Sequence, residues 1–68
     1  MNLNINGQIK EFSEEITTLG DLLLNLNIKK LDRVAVEINR KIIDQSSFNE
    51  TSVNPDDCIE IVSFVGGG

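Results

Sequence analysis

Sixty-eight residues make one small domain, near the size at which only ~60% of the unfolded chain's surface is buried, and they leave no room for a second lobe or a deep catalytic cleft. Eleven Asp and Glu against six Lys and Arg give a net charge of −5, which argues against a nucleic-acid backbone or an anionic membrane as partner and favours a basic protein surface. Histidine is absent and Cys58 is the single cysteine, so a His-based triad, an intramolecular disulfide and a zinc site are excluded by inventory.

Along the chain, Met1, Leu3 and Ile5 alternate with Asn2 and Asn4, the period of a strand with one buried face. Asn6-Gly7 suits a two-residue type I′ turn, so Gln8 to Phe12 is expected to return antiparallel. After the polar Ser13, Glu14 and Glu15, Thr18 stands three residues before Asp21, the spacing of a helix-capping pair. Leu19, Leu22, Leu23 and Leu26 then fall on one helical face, able to cover a sheet, while Gly20 costs helix propensity in the first turn. Asn27 to Asp32 reads as the helix exit. Arg33 to Asn39 alternates again, with Val34, Val36 and Ile38 on one side, and Asn39, Arg40 and Lys41 turn the chain into a short strand at Ile42 and Ile43.

The polar stretch Asp44 to Ser52 holds one large apolar residue, Phe48, expected to anchor a loop or helical turn on the core. Asn54-Pro55-Asp56-Asp57 is a turn, with Pro setting φ and the Asn54 side chain placed to close it, and Cys58 to Val65 is the last strand. No apolar run approaches the ~20 residues of a membrane span, and the first residues lack the basic and apolar regions of a signal peptide, so a soluble, cytoplasmic protein is expected. Hairpin, helix, strand, short strand, loop and final strand fit an α+β, ubiquitin-like β-grasp. In it a mixed sheet of four to five strands carries one main helix on one face, and the terminal strands lie parallel at its centre.

The sequence closes on Gly66, Gly67 and Gly68, directly after the last strand. Glycines lack Cβ and can enter a channel too narrow for side chains; extended, three reach up to roughly 10 Å, at ~3.3–3.6 Å each. A frayed terminus or a linker gives the same residues. On the last strand, Ile59 and Ile61 are expected to face the helix. Glu60, Val62 and Phe64 then face away, and Val62, Phe64 and Val65 form a partner-docking patch unless the loop around Phe48 covers them or the register is reversed. Cys58, following Asp56 and Asp57, lacks the neighbouring cation of a reactive thiol and reads as structural. Asp56 and Asp57 are too few oxygen ligands for calcium and read as turn residues; Glu14, Glu15, Glu37 and Glu60 lie on different elements and read as an acidic surface, not as paired carboxylates.

A β-grasp order of this size with a glycine end resembles the ubiquitin-like sulfur carriers. Val34-Ala35-Val36-Glu37-Ile38-Asn39, followed by Arg40, Lys41, Ile42 and Ile43, is similar to the central block of the ThiS family, the sulfur carriers of thiamin-thiazole biosynthesis. The Thr18 to Leu26 helix, Asp57 before the final strand and the glycine tail stand in the same order. Two features depart from that pattern: Asp44 and Gln45 stand where the family often has Pro-Arg, and three glycines end the chain where two suffice.

The resemblance implies a β-grasp domain over 1–65 and a flexible tail over 66–68. It further implies a co-substrate rather than an enzyme, monomeric when free. Gly68 would carry the chemistry: a ThiF-like adenylyltransferase would adenylate its carboxylate with ATP, and a persulfide donor such as a cysteine desulfurase would convert it to a thiocarboxylate. A ThiG-like thiazole synthase would then take the sulfur. Gly66 and Gly67 would thread both partner sites; no cofactor or metal is bound by the carrier itself. A molybdopterin synthase small subunit shares fold and ending but is usually longer, with prolines where this chain has Ser63, Phe64 and Val65. A non-catalytic ubiquitin-like interaction domain, or a modifier conjugated to lysines, is the reading from another class.

Overall fold

Alternation at the start of the chain becomes strand β1, Asn2–Ile5, with Leu3 and Ile5 buried, and the computed structural model describes residues 1–64 from there onward. Asn6 and Gly7 both take positive φ, 52° and 86°, and Ile5 pairs with Gln8 across the resulting two-residue turn into β2, Gln8–Glu11. A second hairpin repeats the device: β3, Val34–Ile38, turns through Asn39 and Arg40, at φ 51° and 72°, into β4, Lys41–Ile43. The last strand, β5, Cys58–Ser63, joins the two hairpins, parallel to β1 and antiparallel to β3, in the order β2-β1-β5-β3-β4. This is the expected mixed β-grasp sheet, with five strands.

Helix α1, Leu19–Asn25, is too short to persist alone, since isolated helices below ~12–15 residues are marginal in water. Burial holds it: Leu19, Leu22 and Leu23 are fully covered against Leu3, Val36, Ile59 and Phe48. Its N-terminus is a complete capping box. Thr18 Oγ1 accepts from the Asp21 N–H, and Asp21 Oδ2 accepts from the backbone N–H groups of Thr17 and Thr18 and from the Thr17 hydroxyl, each at 3.1 Å. Those donors, the Thr17 N–H foremost, hold the Asp21 carboxyl below the ordinary Asp range. At the C-terminus Asn27, at φ 64°, takes the left-handed position, and the Ile28 N–H reaches back to the Leu23 carbonyl at 2.9 Å, closing a Schellman motif.

Gly20 has a packing reason that its propensity hides, for a Cβ there would run into the Asn49 side-chain oxygen. Asn49 belongs to a 3₁₀ turn, Gln45–Glu50, which seats Phe48 in the core as expected and packs on α1. The following segment runs antiparallel beside the helix entrance, with Leu19 N–H donating to Thr51 O and Val53 N–H to Thr17 O. A short 3₁₀ turn at Leu31–Arg33, which alternation did not announce, leads into β3 and takes Arg33 out of the strand.

The turn before β5 differs in detail from expectation. Asp57 N–H donates to Asn54 O at 3.1 Å, but the side chain that closes the turn is Asp57's, whose Oδ2 accepts from the Asn54 N–H at 2.8 Å. Asp56, at φ 70°, makes it a turn of the type II kind. The expected boundary between strand and tail at 65 and 66, and the tail itself, lie outside the described residues.

Candidate functional site

Everything that leads to the glycine sequence passes through β5, and β5 is held on both edges. On one side β1 ends at Ile5, and the Asn6 side chain carries the pairing onward: its Oδ1 accepts from Ile61 N–H at 2.7 Å and its Nδ2 donates to Ile61 O at 3.1 Å. On the other, Asn39 Oδ1 accepts from Cys58 N–H and its Nδ2 donates to Asp57 Oδ1, both at 3.0 Å. Each hairpin thus lends its first turn residue, in a backbone conformation Asn tolerates, as a clasp on the central strand. Pairing with the β3 side persists to the last described residue, where Phe64 N–H donates to Arg33 O at 2.7 Å.

The two faces of β5 divide as expected. Ile59 is buried and Ile61 packs on the core, while Val62 and Phe64 are 56% and 57% exposed on the face away from the helix. The Phe48 turn does not cover them, because it lies with α1 on the opposite side of the sheet. Register then places Val62 across from Ala35, and Glu60 across from Glu37, whose other neighbour is the exposed Ile42. Val65 of the expected docking patch, and Gly66, Gly67 and Gly68, lie outside the described residues.

Glu37 and Glu60 overturn the reading of scattered carboxylates, since they are direct cross-strand neighbours. Alternation put each on the outer face; that β3 and β5 are adjacent in this register is a long-range fact that no local pattern carries. Among the described residues the only ion pair joins the Met1 amino group to Glu14 at 2.8 Å, so neither carboxylate has a cation within salt-bridge distance. Cys58, expected to be structural, is exposed on the same outer face beside Asn4. No cluster of three or more metal-binding side chains occurs among the described residues, and no helix there is long and apolar enough to cross a membrane. A shallow depression between β4, the Phe48 turn and the turn before β5, lined by Lys41, Asp44, Ser47 and Asn54, does not include Val62 or Phe64.

Comparison with known proteins gives a consistent result. The ThiS family model matches residues 3–68. The chain is 36% identical to the sulfur carrier protein ThiS of Bacillus subtilis, with 97% of this chain and 98% of that one aligned. It is 41% identical, over its whole length, to part of a thiazole synthase of Paramagnetospirillum magneticum, of which it spans only 20%. The crystal structure of the thiamine biosynthesis protein ThiS from Geobacter metallireducens superposes with a TM-score of 0.83 at 30% identity, each chain fully covered.

Proposed function

The chain belongs to the ThiS family, and from that premise we propose that it is a sulfur carrier of thiamin biosynthesis whose cargo rides on the Gly68 carboxylate. The observation that carries the reading is the build of β5: a strand clasped on one edge as far as Ile61 and paired on the other as far as Phe64, with an uncovered, partly apolar face, followed in the sequence by Val65 and three glycines.

The carboxylate, ionised at neutral pH, attacks the α-phosphorus of ATP in an adenylyltransferase, and pyrophosphate leaves. The terminal sulfur of a cysteine persulfide then attacks the acyl carbon and displaces AMP; a thiol cleaves the resulting S–S bond and leaves a thiocarboxylate on Gly68. Gly66 and Gly67 make the approach slim enough for these sites, and Val62, Phe64 and Val65 dock the domain beside them. Tethered in this way, sulfur reaches a thiazole synthase at high effective concentration without release as sulfide. The carrier is a co-substrate that contributes no catalytic group, and the reaction belongs in a reducing, ATP-supplied cytoplasm.

The reading requires a free carboxylate on Gly68. Intact-mass analysis of protein from its native host, under conditions that preserve thioacids, is expected to show the oxygen-to-sulfur mass gain, placed on Gly68 by fragmentation. A Gly68 left unmodified after incubation with ATP, a persulfide donor and the cognate adenylyltransferase overturns it. Gly67→Trp is expected to block adenylation while leaving the melting temperature unchanged.

A further inference from the structure

The sheet face opposite the helix carries a feature that folding does not explain. Glu37 and Glu60 stand directly across from each other in the antiparallel β3–β5 pair, which sets their Cβ atoms roughly 4.5–5.5 Å apart. Like charges so placed destabilise a sheet, and no cation among the described residues lies within ion-pairing distance of either. Around the pair the surface is apolar and open: Val62 and Ala35 in the next cross-strand position, Phe64 beyond them, and Ile42 beside Glu37. An uncompensated acidic pair framed by exposed apolar side chains suits a complex better than it suits the free domain.

We propose that this face docks a partner enzyme through an arginine set across Glu37 and Glu60, with aliphatic and aromatic side chains of the carrier around it. This rests on the carrier function proposed above and names the chemistry by which the adenylyltransferase grips the domain. A planar guanidinium offers donors to both carboxylates at once, and its flat apolar face lies favourably against the neighbouring Val62, which a lysine's point charge does less well. Charge also excludes the other occupants of an open sheet face. A second copy of this chain brings a second acidic pair against the first, and nucleic acids and anionic lipids are repelled in the same way.

Two variants test the proposal against the cognate adenylyltransferase, with the tail left intact. Glu37→Gln with Glu60→Gln is expected to leave the melting temperature equal or higher, because a repulsion is removed, while weakening Kd about tenfold or more and flattening its dependence on salt. Glu60→Lys creates a cross-strand ion pair with Glu37; it is expected to raise the melting temperature and to abolish measurable binding. Affinity within about twofold of the unmodified protein in both variants overturns the docking chemistry. The two readings fail separately. A wild-type chain that is never adenylated removes the carrier function, whereas a wild-type chain that is adenylated, with both variants binding as it does, removes only the arginine contact.

Discussion

The two faces of this sheet are built on opposite principles. Toward the helix, Leu3, Val36 and Ile59 are at most 1% exposed, and no polar or charged residue is buried among the described residues. Away from it, the same strands present Ala35, Glu37, Glu60 and Val62 to solvent, a mixture that neither buries nor pairs its members. One face holds the domain together; the other leaves apolar and acidic side chains open to solvent. In a domain this small nearly all the burial that stabilises it must come from a single layer, so the other side is free to be specialised.

Two phenylalanines give the sharpest test. Phe48→Ala on the helix side is expected to cost about 3–5 kcal/mol, enough to approach unfolding in a domain whose stability sits at the low end of ~5–15 kcal/mol. Phe64→Ala on the outer side is expected to change stability by no more than about 0.5 kcal/mol. Urea unfolding of both variants measures the contrast, and equal losses would show that the outer face contributes to folding after all.

A smaller effect separates burial from capping within the helix layer. Thr18→Ala removes the acceptor for the Asp21 N–H and is expected to cost about 1 kcal/mol by the same measurement, well below the Phe48 loss. The smallest effect is pH-dependent. The folded Asp21 carboxyl titrates below its unfolded value, so its contribution is present above the unfolded pKa of about 3.9 and is lost as pH falls through the lower folded value. Melting curves of the wild type and Asp21→Asn are therefore expected to differ at neutral pH and to converge in strong acid.

What the sequence made legible follows the range of each interaction. The Asn6-Gly7 turn, the Thr18–Asp21 cap, the leucine face and the Phe48 anchor are local signals, and each appears where the pattern placed it. The outward orientation of Val62 and Phe64 was readable for the same reason, as period two fixes a face once one residue is assigned. What was not legible depends on which strands meet. The opposition of Glu37 and Glu60 needs the β3–β5 register, and the clasps of Asn6 and Asn39 on β5 join residues 55 and 19 positions apart. Gly20 belongs to the same class, since its cost was local but its reason, Asn49, lies on another element.

The strand order also constrains when the domain can form during synthesis. β5 lies between β1 and β3, so the two hairpins have no sheet contact with each other until it is in place, yet it is the last of the strands to be made. A chain that stops short of Cys58 lacks the strand that joins the two hairpins and half of the platform on which the short helix depends. Its unpaired strand edges and uncovered leucines are the marks by which proteases and chaperones recognise unfinished chains. The sheet can therefore close only after the strand that leads to the glycines has been made.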